Sequence, residues 1–368
     1  MRIVLLIIFS SIFSSSFSQN RNVLYGQRNL KENKLAVYMD KEGMIYPSYF
    51  ISDSSLQIAH ASLTEWYARN ENNFFKISKS YKCKFLNYSL ENCNILNDSI
   101  LSAFNYKLNN IKGSYQPFAF LIHGFRKSFT EKNSDTPSPL AYKLLKEAIE
   151  KFHKRTTIYV EVYWDGMYDC CFTANKKNNK PLFKMFEDAQ TNAALAGRTL
   201  KKIFNKLKND TITIYAHSLG AKVAMHSLLN IDDGKTLTPS NKCINICLIA
   251  PAISTELITE NYLKRNSYLD YQKNDNYHLY LIFNEKDFAL RKKDNHLLLF
   301  GPGSTKYGNT SLGCNHKGAI NTVQKHFEKN FKNSSLLAFD YTSIGKHHHL
   351  ENYCGSNLFQ QTIEFIHK

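Results

Sequence analysis

The 368 residues are enough for one large α/β domain or two small ones. With 43% hydrophobic and 21% charged residues, the composition excludes a disordered chain. The net charge of +16 comes from lysines scattered along the sequence. No dense Lys/Arg block is interleaved with aromatics, which argues against a nucleic-acid partner and leaves contact with an anionic surface open.

Residues 1–18 read as a cleavable signal peptide. Arg2 supplies the positive start, and Ile3 to Phe9, with Ile12 and Phe13, supply the apolar run. Small residues, Ser16 and Ser18, stand where a signal peptidase reads. The run is too short and too serine-rich for a comfortable membrane span. The expectation is a secreted or periplasmic protein. In an oxidising compartment cysteines pair, so Cys83 with Cys93 and Cys314 with Cys354 are candidate disulfides. Cys170 and Cys171 are adjacent. Cys243 and Cys247 read as core residues of a strand. No C-x-x-C pair points to a structural zinc.

Residues 19–110 form an accessory region, expected to be β-rich or to add edge strands. Leu35–Met39 and Met44–Tyr46 flank a turn at Gly43, the pattern of a hairpin. Ser62 with Glu65 three residues on predicts a capped helix start. From Gln116 onward, strands and helices alternate. Apolar strands are predicted at 118–122, 157–164, 211–215, 243–250, 277–283 and 336–341. Helices are predicted at 139–152, 183–207, after residue 218 to about 229, and at 359–367. Residues 255–276 are helical or irregular. Alternation of this kind predicts a mostly parallel sheet covered on both faces, with the domain occupying 111–368.

Chemistry concentrates at Ala216-His217-Ser218-Leu219-Gly220. An apolar strand enters this stretch and a helix former leaves it, so Ser218 sits at a sharp strand-to-helix turn. Small residues two before and two after let the backbone fold tightly. With His123-Gly124-Phe125 after the first strand of the alternating part, and an acid and a histidine after later strands, the chain resembles the α/β-hydrolase superfamily. The likeness runs from about Gln116 to the C-terminus. It is nearest to bacterial hydrolases of unknown function that pair an H-G-F stretch with an A-H-S-x-G elbow. It implies a three-layer α/β-hydrolase fold, here with a small N-terminal β-rich extension. Two positions depart from the usual pattern, Ala216 and Asn284, each standing where relatives carry glycine.

The implied roles follow. Ser218 attacks as nucleophile, a histidine takes its proton, and a carboxylate fixes and stabilises the imidazole. Backbone N–H groups of Phe125 and Leu219 form the oxyanion hole; one such donor is worth ~3 kcal/mol. The acid chosen is Asp287, beyond the end of the strand that finishes at Phe283; Glu285 is its neighbour and rival. Asp165 lies on the wrong side of the elbow in chain order. The base is His348, with Leu350 and Tyr353 packed behind it; His349 is the second candidate and His347 the third. Three adjacent histidines also look like metal ligands, but neighbours in an extended loop point in alternating directions, so neither metal nor cofactor is expected. His217 packs at the elbow and His123 shapes the oxyanion loop. The substrate expected is a small ester or lipid-like molecule, in a pocket built from residues 165–183, 252–276 and 288–315. The competing reading is a non-catalytic binding or surface module that retains the fold.

Overall fold

The computed structural model describes residues 35–47, 62–111, 116–126, 138–152, 156–167, 180–209, 211–229, 243–264, 276–291, 311–331 and 334–367. The leader segment and Cys170–Cys171 lie outside these residues, as does much of the expected pocket.

Seven strands form one sheet: β1 (Ala36–Tyr38), β2 (Phe118–Ile122), β3 (Ile158–Tyr163), β4 (Thr211–His217), β5 (Cys243–Ile249), β6 (Tyr277–Phe283) and β7 (Ser335–Asp340). Their order is β1-β3-β2-β4-β5-β6-β7, and every pairing is parallel. All five residues of β2 are buried, as are the last six of β4 and of β5. This is why these strands read as unbroken apolar runs: helices cover both faces.

The helices are α1 (Leu63–Arg69), α2 (Glu71–Ser80), α3 (Leu90–Asn109), α4 (Ser138–Phe152), α5 (Lys180–Phe204), α6 (Gly220–Leu229), α7 (Thr255–Leu257), α8 (Ala319–Asn330), α9 (Leu350–Cys354) and α10 (Asn357–Ile366). Helix α7 runs straight into a π-helical turn at Ile258–Tyr262. One layer packs α4 with α9 and α10; the other packs α5 with α6, with α3 against α5. Among the described residues no helix is long and apolar enough to cross a membrane.

Among its described residues the N-terminal extension is not β-rich: it contributes the edge strand β1 and then three helices. Asn is the reason the helical pattern is hard to read. The buried stripe of α3 runs through Cys93, Leu96, Asn97, Ile100, Leu101, Asn105 and Leu108, so two of its positions are polar. Asn97 is there for a bond: its Oδ1 accepts from Ile45 N at 2.8 Å. The expected turn does form. Gly43 takes φ 76°, and Tyr46 N donates to Tyr38 O at 2.9 Å. Only the first arm joins the sheet, beside β3. Ser62 caps α1 as its spacing predicts, Oγ accepting from Glu65 N at 3.2 Å.

Neither expected disulfide forms: Cys83, Cys93, Cys314 and Cys354 all remain outside disulfide bonds. Cys83 Sγ donates to Ser99 Oγ at 3.2 Å, while Cys93 is fully buried in the α3 stripe. Cys314 Sγ turns to the carbonyl of Ser311 within its own turn, 3.7 Å away. Cys354 ends α9 buried, and burial pushes its thiol pKa up. Cys247 is fully buried in β5, as the strand pattern predicts.

Candidate active site

The sheet order creates the site. From the centre at β2 the chain moves outward to β3, then crosses back to β4 on the other side. Such a reversal opens a crevice beyond the carboxyl ends of the two diverging strands. Ile122 pairs with Ala216 across β2 and β4, which sets His123-Gly124 beside His217-Ser218.

Ser218 stands at the apex with φ 54°, in the left-handed region that costs a non-glycine residue about 1 kcal/mol or more. The strain is held by its neighbours. Ser218 N donates to Ile249 O at 2.9 Å, and Ser218 O accepts from Ala221 N and Ala252 N at 3.1 and 3.0 Å. Two glycines make room. A Cβ on Gly220 would lie 2.5 Å from His123 O, and one on Gly124 would lie 2.7 Å from Ser218 Cβ. Ala216 needs no such freedom, because it is an ordinary buried member of β4 paired with Leu248. Its departure from glycine therefore has no geometric cost here.

The stretch after β2 is equally built. His123 Nδ1 donates to Gly124 O at 2.8 Å and its Nε2 accepts from Trp164 N at 3.2 Å, which fixes the neutral tautomer. Trp164 Nε1 closes the pair on His123 O at 2.8 Å, with the two rings stacked. His123 thus shapes this loop. Arg126, at φ 54°, donates its N–H to Gly166 O at 2.7 Å. Phe125 meets Phe186 edge-on at 5.3 Å. The Leu219 N–H finds no acceptor among the described residues, so it remains available beside Ser218.

Asp287 is completely buried. Its Oδ1 accepts from Ala289 N at 2.9 Å and Leu290 N at 3.0 Å; its Oδ2 accepts from His348 Nδ1 at 2.8 Å and Tyr353 OH at 3.1 Å. A carboxylate has lone pairs for all four. Burial and the Asp287 charge push the Tyr353 hydroxyl far above its ordinary value, so it stays a donor. Of the three histidines, the structure brings His348 to Asp287. His349 begins α9 with its ring 6.0 Å from Phe288, and His347 offers its carbonyl, not its ring, to the network. Glu285, the rival acid, is exposed and accepts from Asn315 Nδ2 at 2.9 Å. Asp165 accepts from Met167 N in its own turn. Among the described residues, no group of three His, Cys, Asp or Glu side chains is placed to hold a metal ion.

Two residues do more than the sequence reading assigned them. Asn284, fully buried, donates through Nδ2 to Gly345 O at 2.8 Å and His347 O at 3.1 Å, tying the acid turn to the histidine loop. His217 does the same from the elbow: its Nε2 donates to His348 O at 2.9 Å. The signal for Asn284 was its place at the end of β6, where an amide can reach across to the next loop. Ser218 Oγ itself makes no hydrogen bond among the described residues, so the pairing with His348 is not closed in this state. Such bonds are commonly long before substrate binds.

Residues 180–293 match the sequence profile of a family described as an alpha/beta hydrolase of unknown function. That span holds Ser218 and Asp287 and ends before His348. No curated protein matches the chain. Among solved structures, a Pyrococcus furiosus esterase aligns at 14% identity and TM-score 0.32, covering 69% of this chain and 83% of that one. A Lactobacillus plantarum chain described as a cell surface hydrolase aligns at 11% identity and TM-score 0.33, covering 68% and 90%.

Proposed function

We propose that this chain, an α/β hydrolase by the match of residues 180–293, is a serine hydrolase cleaving carboxylic esters through an acyl-enzyme on Ser218. The observation that carries the reading is the His348–Asp287 contact, at 2.8 Å on a carboxylate with no exposure. It lies at the end of the parallel sheet where Ser218 holds its left-handed turn.

In this mechanism His348 Nε2 takes the Ser218 proton as Oγ attacks the carbonyl carbon. Asp287 stabilises the imidazolium and fixes its tautomer. The N–H groups of Leu219 and Phe125 hold the developing oxyanion. Collapse expels the alcohol, which leaves with the proton from His348. Water then repeats the sequence on the acyl-enzyme and releases the acid. An ester or lipid-like substrate fits the rim. Phe288 is 47% exposed, with its ring 6.2 Å edge-on from that of His348, and offers the substrate an apolar wall beside the base. Export as a secreted or periplasmic protein completes the proposal and rests on residues 1–18.

A fluorophosphonate probe tests the core of this reading. Wild type should label rapidly and Ser218→Ala should not. Equal labelling of the two would overturn it and favour the non-catalytic module.

A further inference from the structure

We infer that the loop joining α2 to α3, residues 81–89, together with Leu90 at the start of α3, is a docking surface for an anionic lipid bilayer. The loop is a fixed structure. Phe85 stacks on Phe74 at 5.6 Å and Tyr88 meets the same ring edge-on at 5.5 Å. Tyr88 OH donates to Thr64 O at 2.9 Å, and Cys83 N to Ser78 O at 2.9 Å. Ser89 caps α3 through Asn92 N at 3.0 Å. Between these anchors Leu86 projects with a relative exposure of 102%, and Leu90 follows at 63%. A rigid turn that holds a leucine wholly in water, with aromatics tucked in on either side, presents that side chain to something outside the chain.

The surroundings say what. Lys79, Lys82 and Lys84 are exposed in the same segment as Leu86 and enter no salt bridge among the described residues. With Lys76 they outnumber the acids of residues 71–91, which are Glu71 and Glu91, the latter next to Leu90; Glu42 and Glu71 act electrostatically on Tyr88. Protruding aliphatic side chains in a lysine-rich segment match an anionic headgroup layer over acyl chains.

Position agrees. Asp98 pairs with Lys202 and Ser102 with Lys206, while Asn109 bonds Lys206 and Lys208, so α3 runs parallel to α5. Helix α5 descends from the carboxyl end of β3 to the start of β4. Leu90 therefore stands about 12 Å from Asp98 in the direction of the carboxyl ends of the strands, level with the middle of α5. The inference does not depend on the chemistry at Ser218, and Ser218→Ala should dock like wild type.

Co-sedimentation of the full chain with phosphatidylcholine vesicles, with and without phosphatidylglycerol, tests it. Wild type should pellet with the anionic vesicles and lose binding in high salt. A lysine near such a surface strengthens adsorption about fivefold, so K79Q/K82Q/K84Q should weaken it about a hundredfold. Leu86→Asp, at a position with no packing to lose, should weaken it at least about tenfold. Absence of wild-type binding, or equal binding to pure phosphatidylcholine, would overturn the proposal. So would loss on lysine substitution with full retention in Leu86→Asp, which would point to a soluble polyanion.

Discussion

Asp287 is held by four donors, and only one of them is its histidine. The two backbone bonds set the carboxylate rotamer before the imidazole arrives, and Tyr353 prevents Oδ2 from turning away. On the proposed mechanism, His348→Ala should lower turnover about 10⁴-fold, while His349→Ala should stay within a few-fold of wild type; ester kinetics on the two variants decides. A His349→Ala loss as large as that of His348→Ala would refute the assignment. Asn284 acts through others. Asn284→Ala would strip two loop carbonyls of their buried donor, costing about 1–3 kcal/mol of stability. It should lower kcat with little change in KM, because the base moves and the substrate surface does not. Thermal melting and steady-state kinetics on the same sample separate these effects.

At the scale of elements, the elbow is a contact between two backbones. Helix α6 starts so close to β2 that only glycine fits: a Cβ on Gly220 would meet His123 O at 2.5 Å and Ile122 O at 2.9 Å. Both are backbone atoms and cannot swing aside. Gly220→Ala should therefore cost about 2 kcal/mol or more and depress probe labelling of Ser218 at temperatures where the variant is folded. A variant as stable and as reactive as wild type would show that the strands separate freely. The joints at Asn284 and His217 work over the same distance scale. They hold the histidine loop against the acid turn and the elbow by hydrogen bonds, without a Cys314–Cys354 disulfide.

At the scale of the whole molecule, one buried carboxyl group ties parts of the N-terminal extension to one another. Asp40 accepts from Glu42 N at 2.9 Å, Met44 N at 2.8 Å and Leu63 N at 2.6 Å, linking the turn after β1 to α1. Burial pushes its carboxyl from the ordinary 3.8 up to about 7 in spite of these donors. The folded chain thus holds this proton where the unfolded chain has lost it. The contribution to stability is whole below about pH 4 and declines as pH rises through about 7, on the order of a few kcal/mol. Denaturant melts of wild type and Asp40→Asn across that range should differ in slope, the variant being flatter. Parallel profiles would show that Asp40 does not carry the pH dependence.

Sequence alone determined the layered α/β class, the six strands from β2 onward and the turn at Ser218. Each is written locally: an unbroken apolar run is what a doubly covered strand needs, and small residues around a serine are what a tight turn needs. It also singled out Asp287 and His348, whose side chains the fold brings together. What tertiary structure decided are relations between distant segments. Only the fold shows that His348, and not His349, meets Asp287, because the choice depends on Asn284 and His217 gripping the backbone on either side of the ring. Only the fold shows α2 and α3 where an Asn- and Lys-rich stretch suggested strands, since polar residues inside a buried stripe are satisfied by partners far away in sequence. And Cys83, Cys93, Cys314 and Cys354 remain apart because each thiol already has a packed or hydrogen-bonded place, a fact that spacing along the chain does not contain.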